Sequence, residues 1–227
     1  MPDPRHTHHS HDHTSRTTQA PQATFDWDAV YRGDGSDTTA PDPLLLAPAD
    51  ALTPGSALDL GCGAGGNALA LAERGWRVTG VDIAPRAIAG TRAGACARGL
   101  ELELLVADTA QWQPETTYGF VLSSYALPPR GPARTATLAA AAAALAPGGI
   151  LALGEWDEEG CDWGADGDLV TLEEIRTHLS GHGLDILRAE RLRVPRHQHP
   201  GHEQQPADDA AVIVTARKPH DTLEASD

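Results

Sequence analysis

Three carboxylates and a run of glycines carry the most chemistry in this chain. The run is Asp59-Leu60-Gly61-Cys62-Gly63-Ala64-Gly65-Gly66, and the other two acids are Asp82 and Asp108. Glycine lets a backbone turn sharply and approach a ligand with no Cβ in the way. A carboxylate placed like Asp82, after an apolar segment, can accept hydrogen bonds from the hydroxyls of a ribose, at roughly 1.5–3 kcal/mol for each charge-assisted bond. Similar glycine runs in dinucleotide-binding folds seat a pyrophosphate on a helix N-terminus. Here Asp59 precedes the first glycine by two positions and is expected at the mouth of the loop. A carboxylate there repels a pyrophosphate and attracts a cation. Three acids around one crevice therefore suit a nucleoside that carries positive charge.

The elements that must hold these acids follow from the apolar pattern. Residues 57–60 form a short apolar run ending at glycine, the pattern of a buried parallel strand. Residues 67–74 have helical spacing with Ala68, Leu69, Leu71 and Ala72 inside, and Gly75 ends the helix as a C′ glycine. Residues 76–81 make the next strand, with Asp82 at its carboxyl end, and residues 102–107 a third, followed by Asp108. Pro85 suits the first turn of a helix over residues 85–98. Residues 118–125 read as a fourth strand with Tyr125 at its very end, and the alanine-rich stretch 133–146 as a helix. Pro147-Gly148-Gly149 stops that helix and turns into a strand over residues 150–154. Residues 155–168, with Trp156, Cys161 and Trp163 among the acids, read as a solvated loop. Thr171 and Glu174 form a capping box for the next helix. Residues 184–194 and 210–216 are the last two strands.

S-adenosylmethionine, with its sulfonium and ammonium groups, has the charge these acids suit. The motifs Asp59-Leu60-Gly61-Cys62-Gly63-Ala64-Gly65, Val81-Asp82-Ile83, Ala107-Asp108 and Leu145-Ala146-Pro147-Gly148-Gly149 resemble, in order and spacing, those of class I S-adenosylmethionine-dependent methyltransferases. The resemblance implies an α/β, Rossmann-like fold, with a seven-stranded, mostly parallel sheet whose last strand is antiparallel and helices on both faces. It also implies roles. Asp59, Gly61, Cys62, Gly63 and Gly65 lie near the methionine part of the cofactor. Asp82 takes the ribose, Ile83 meets the adenine, and Asp108 and Thr109 meet the adenine edge. Ser123, Trp27 and Tyr31 complete the cofactor set, and the product is S-adenosylhomocysteine. Trp27, Tyr31 and Arg32, followed by Pro41 and Leu44-Leu45-Leu46, resemble the tellurite-resistance and thiopurine-type small-molecule subgroup. Phe25 or Asp26 precedes a short helix whose Trp27, Val30 and Tyr31 share a face. That face either packs on the sheet or closes over the cofactor.

The chain has 227 residues, with Lys+Arg 17 against Asp+Glu 32 and a formal net charge of −15. That balance excludes the basic footprint nucleic acid requires. Three scattered cysteines imply no disulfide framework, and no apolar run approaches a membrane span. With no apolar signal core, the reading is a cytoplasmic protein. Oligomeric state stays open. Residues 1–23 are a polar tail, read as disordered, in which His6, His8, His9, His11 and His13 are candidate metal ligands or, the favoured reading, have only adventitious metal affinity. Residues 24–219 form the methyltransferase domain and residues 220–227 a second disordered tail. The same glycine loop keeps an NAD(P)-dependent oxidoreductase as the rival reading. The histidines keep a non-catalytic cofactor- or metal-binding protein as another.

Methyl transfer is an in-line displacement, so the protein's main work is alignment in a dry cleft. A thiol or a chalcogen oxyanion is nucleophilic near neutral pH; a hydroxylated metabolite needs proton removal, for which histidine is suited. Arg188, Arg191, Arg193, Arg196, His197, His199 and His202 are a basic concentration in an acidic chain. Those beyond the sixth strand, Arg196, His197, His199 and His202, are the substrate-contact candidates, with Tyr31 and Tyr125, and an arginine there suits an anionic acceptor. Gly119 stands where many relatives have an acid, which argues against a borrowed amine or nucleic-acid methylase assignment.

Overall fold

The computed structural model describes residues 25–31, 40–161, 167–195 and 208–220. Two helices, α1 (Trp27–Val30) and α2 (Pro43–Asp50), precede the first strand, β1 (Ser56–Leu60). Then come α3 (Gly66–Glu73), β2 (Arg77–Asp82), α4 (Pro85–Arg98), β3 (Glu103–Val106) and β4 (Tyr118–Ser124). The chain continues through α5 (Pro132–Ala144), β5 (Leu145–Trp156), α6 (Leu172–Gly181), β6 (Asp185–Pro195) and β7 (Asp208–Arg217). The seven strands lie in one sheet in the order β3-β2-β1-β4-β5-β7-β6. Strand β7 is antiparallel to both neighbours, and every other pairing is parallel. The fold expected from the resemblance is present.

Burial explains the layers. Central strands covered on both faces read as near-continuous apolar runs. Leu58, Leu60, Val121, Leu151 and Val212 pack with Leu138, Ile175 and Leu179, which places α5 and α6 on one face. Ala57, Phe120, Leu122, Ala152 and Ile213 pack with Leu45, Leu71 and Ile88, which places α2, α3 and α4 on the other. The strand order reverses between β1 and β4, so their carboxyl ends open a crevice of the kind that binds ligands in such sheets.

Three expectations are corrected. The alanine helix ends at Ala144, not at residue 146, because Leu145 turns extended and pairs with Tyr118 in β4. Glu155 and Trp156 belong to β5 rather than to an acidic loop. Antiparallel pairing with β7 through Val212 and Ala211 carries the strand that far. Helix α2 lies where only an apolar triplet had drawn notice. Asp42 caps it, its carboxylate accepting from the Leu44 and Leu45 amides at 2.8 and 3.3 Å, with Pro43 in the first turn. Leu45 of α2 fills the space above Gly154 of β5; a Cβ on that glycine would sit 2.9 Å from Leu45 Cδ1.

Thr171 caps α6 as its sequence indicates, with its hydroxyl accepting from the Glu174 amide at 3.1 Å. The reciprocal half of the capping box is used differently. Glu174 receives Arg134 and Arg130 instead.

Candidate active site

The glycine loop leaves β1 and is hung from β2, where the amides of Gly61 and Cys62 both donate to the Val81 carbonyl at 2.8 and 3.1 Å. Two glycines are required by position. Gly61 has φ +73°, and a Cβ there would lie 2.2 Å from Ala126 Cβ. Gly63 has φ +53°, and a Cβ there would lie 2.9 Å from the Tyr31 hydroxyl oxygen. The Thr91 hydroxyl of α4 donates to the Gly63 carbonyl at 2.9 Å and locks the loop from below.

Asp82 ends β2, and one of its carboxylate oxygens accepts from the Gly63 amide and the other from the Ala84 amide, both at 2.8 Å. It ties the glycine loop to the turn after β2, and its remaining lone pairs are available to a ligand. Burial raises its pKa above 3.8 despite those two amides. Ile83 beside it is 48 % exposed, an apolar side chain on the open side of the turn. Asp108 caps the turn after β3, accepting from the Ala110 amide at 2.9 Å and the Gln111 side-chain amide at 2.8 Å. The Thr109 hydroxyl is buried against that of Thr137, 3.2 Å away.

Asp59 departs from expectation. It lies in β1, the strand expected over residues 57–60, but is buried there, 2 % exposed, rather than open at the loop mouth. Strand alternation turns it onto the face that carries α3, where the Ala68 amide donates to it while its Oδ1 has no partner among the described residues. Burial foremost, and then the nearby Asp82, push its pKa from 3.8 up to about 7. The folded state then holds a proton that the unfolded state has released between those values, so stability falls as pH rises through that window, by about 1.4 kcal/mol per unit of raised pKa. An Asp59→Asn variant is expected to gain stability relative to the parent as melts are moved from acidic to mildly alkaline buffer. A difference independent of pH would return Asp59 to an ordinary carboxylate.

Tyr31 and Trp27 separate. Tyr31 is half-buried with its hydroxyl over Gly63, and burial and Asp82 raise its phenol to about 12, so it is a neutral donor. Trp27 is 49 % exposed and stacks edge-on against Phe25 at 4.6 Å. Asp28, which the sequence did not mark out, holds α1 in place by accepting from the Arg86 amide at 2.8 Å and pairing with the Arg86 guanidinium. Cys62 is buried near Asp59 and Asp82, and burial pushes its thiol up, as suits a packing residue. Ser123 near the end of β4 is 2 % exposed, and its hydroxyl has no partner among the described residues.

Tyr125 follows β4 with φ +52°, the left-handed region, and its amide still donates to the Gly154 carbonyl at 2.8 Å. That backbone turn lets its ring stack on Trp156 at 4.3 Å. Gly119, whose missing acid had seemed informative, begins β4 at the opposite end from the crevice, beside Ser56. Its identity therefore has no bearing on an acceptor. Arg188 pairs with Glu190, and Arg191 pairs with Asp157 and Glu159, so their charge is locally matched. Arg196, His197, His199 and His202 lie outside the described residues, as do the N-terminal histidines. Among the described residues no group of three or more His, Cys, Asp or Glu is arranged to hold a metal, and no helix is long and apolar enough to cross a membrane.

A family model for a methyltransferase domain matches residues 57–149, the segment from β1 to the start of β5. A trans-aconitate 2-methyltransferase from Methylobacterium radiotolerans is 33% identical over 131 residues, 56% of this chain and 48% of the relative. The chain therefore spans about half the length of that curated relative. A structure described for conversion of a disulfide bond into a thioacetal group during echinomycin biosynthesis is 26% identical with a TM-score of 0.68, covering 86% of this chain and 92% of that one. TehB from Haemophilus influenzae, 19% identical, shares the fold with a TM-score of 0.71 over 81% of this chain and 64% of its own. With its motifs in sequence order on the expected sheet, the segment 57–149 is similar to a methyltransferase domain, and the sheet is that of the Rossmann-like class I methyltransferases, whose cofactor is S-adenosyl-L-methionine.

Proposed function

We propose that this chain transfers a methyl group from S-adenosylmethionine to a small-molecule acceptor. The observation that carries the reading is the Asp82 carboxylate at the switch point, fixed by Gly63 and Ala84 beneath the Tyr31 hydroxyl. The residues fit the cofactor. The loop has no room for a Cβ at Gly61, Ile83 offers an apolar surface beside Asp82, and Ser123 has a buried hydroxyl in need of a partner. When bound, the cofactor supplies an electrophilic methyl on a sulfonium. Asp82 would hold the ribose, Ile83 the adenine face, and Asp108 and Thr109 the adenine edge. Asp59 beneath α3, with Gly61, Cys62, Gly63 and Gly65, would shape the methionine end. Tyr31 would cover the loop and exclude water, with α1 anchored by Asp28.

The net charge of −15 disfavours a nucleic-acid acceptor. The resemblance to the tellurite-resistance and thiopurine-type subgroup supports a small molecule. Calorimetry is expected to show binding of S-adenosylmethionine and S-adenosylhomocysteine and none of NAD. Incubation with radiolabelled methyl donor and a panel of acceptors is expected to yield a labelled product. Binding of NAD with no response to either adenosyl ligand would favour the oxidoreductase, and cofactor binding with no turnover on any acceptor a non-catalytic sensor.

A further inference from the structure

We propose that Asp42 and Tyr125 grip the hydroxyl of the acceptor, with Asp42 taking its proton, and that the acceptor is an uncharged phenol. The proposal rests on the methyltransferase reading and names the substrate class of that site. Asp42 caps α2 through one carboxylate oxygen alone, since Oδ1 accepts from both the Leu44 and Leu45 amides. Its Oδ2 has no hydrogen-bond partner among the described residues. The Asp42 amide donates to Asn67 Oδ1 at 2.7 Å, which seats the residue beside the start of α3, where the glycine loop ends. Tyr125 comes from the end of β4. Its amide donates to the Gly154 carbonyl, and Leu45, one turn along α2 from Asp42, rests on that same glycine. Among the described residues Tyr125 is the only non-glycine with a left-handed φ, +52°. Backbone strain of that kind clusters at ligand sites. Stacking on Trp156 at 4.3 Å fixes the ring, and the hydroxyl has no hydrogen-bond partner among the described residues. Asp42 is near enough to act on that hydroxyl, which burial first and Asp42 next keep protonated.

A hydroxyl held between these groups donates to Asp42 Oδ2 and accepts from the Tyr125 O–H. As its oxygen bonds to the methyl carbon, the carbon–sulfur bond breaks with its electron pair left on sulfur, and the hydroxyl proton passes to Asp42. The products are a methyl ether, S-adenosylhomocysteine and a protonated Asp42, which returns the proton to water. A carboxylate is a weak base, so the proton it removes must be an acidic one, as on a phenol that ionises near about 10. The ring of the acceptor meets apolar surface, because the half-buried Leu44, Trp156 and Leu192 pack on the same side of the sheet as Tyr125. Asp42 itself repels an anionic acceptor. The arginines at this edge are committed elsewhere. Arg134 is buried against Glu174 and four carbonyls. Arg130 pairs with Glu158 and Glu174, and Arg191 with Asp157 and Glu159. Alternation puts Arg191 and Arg193 on the sheet face opposite Leu192, and the buried Glu155 on the face opposite Trp156. Glu155 therefore takes no part. This departs from the anionic acceptor expected from the basic residues of β6, where Arg188 and Arg191 are matched by their own neighbours.

The test uses the full chain and three probes of one shape: 4-propylphenol, its methyl ether and 4-propylbenzoate. Binding to the chain saturated with S-adenosylhomocysteine is read by ligand-observed NMR. Transfer from radiolabelled S-adenosylmethionine is read as labelled ether. The phenol is expected to be methylated and to bind about tenfold more tightly than the ether or the carboxylate. Asparagine caps a helix as well as aspartate, so Asp42→Asn keeps α2 in place. It is expected to slow methylation of the phenol by about a hundredfold or more, while S-adenosylhomocysteine affinity stays within about twofold. Tyr125→Phe keeps the ring stack and is expected to weaken the phenol by about fivefold or more. Equal or tighter binding of the carboxylate, no methylation of the phenol by the parent chain, or methylation at the parent's rate by a folded Asp42→Asn chain overturns the proposal. Absence of S-adenosylhomocysteine binding by the parent chain is a separate result and would overturn the methyltransferase reading instead.

Discussion

Replacing Arg134 by alanine is expected to destabilise the protein by about 3–5 kcal/mol, the range for removing one partner from a buried ion pair. Arg134 is 1 % exposed, in the first turn of α5. Its Nε donates to the Pro128 carbonyl at 2.8 Å, and Nη1 to the Leu169 carbonyl at 3.1 Å and Glu174 at 3.0 Å. Nη2 donates to the carbonyls of Gly167 and Asp168 at 2.8 and 3.0 Å. A guanidinium has five N–H groups, and each has an acceptor here. Three of those carbonyls lie before α6 and one in the loop after β4, so one side chain staples two loops at the carboxyl edge. Alanine leaves four carbonyls and a carboxylate facing a void. Lysine restores the charge but not the planar fork, and should recover little. For a chain of this size the loss amounts to a fall in melting temperature of the order of 10 °C. A fall under about 2 °C would mean that solvent replaces the clamp freely.

Asp82→Ala is expected to weaken S-adenosylhomocysteine binding by about 1.5–3 kcal/mol, or roughly ten- to a hundredfold, through loss of charge-assisted bonds to the ribose. The structure adds a second route to the same loss. The carboxylate also holds the Gly63 amide, so its removal frees the loop that lines the site. Asp82→Asn separates the two contributions. Its carbonyl oxygen can keep one of the two backbone amides while the charge is gone. Titration calorimetry on a variant shown to be folded decides the matter, and an unchanged dissociation constant would take Asp82 out of the cofactor site.

How far the sequence could be read depended on the range of the interactions. The glycine loop, Asp82 at a strand end and the Thr171 cap are set by neighbours within a few residues, and each stands where its local pattern puts it. Asp59 was read within the first strand but expected to be open at the loop mouth; its burial was not legible, because what covers it is α3 passing overhead. Glu155 and Trp156 were assigned to a loop because Glu155-Trp156-Asp157-Glu158-Glu159 is polar. Their strand exists because β7, more than fifty residues on, pairs with it. Arg134 has no local signal of its role, since its acceptors are at Pro128 and residues 167–174. Helix α2 had a usable signal in Asp42-Pro43, a cap followed by a first-turn proline, which Pro48 in its second turn obscured.

The seat of α2 bears on the order in which a growing chain can mature. Leu45 rests on Gly154 of β5, and α2 also packs against β4 and β7. An early segment thus waits for surfaces made from the last strand, residues 208–217, before it can dock. Its Asp42 backbone in turn steadies Asn67 at the start of α3. During synthesis the glycine loop and β2 can emerge and pair long before this bracket closes. The crevice should therefore become competent only after β7 has left the ribosome, and until then the exposed α2 triplet Leu44-Leu45-Leu46 is a surface for chaperones to hold.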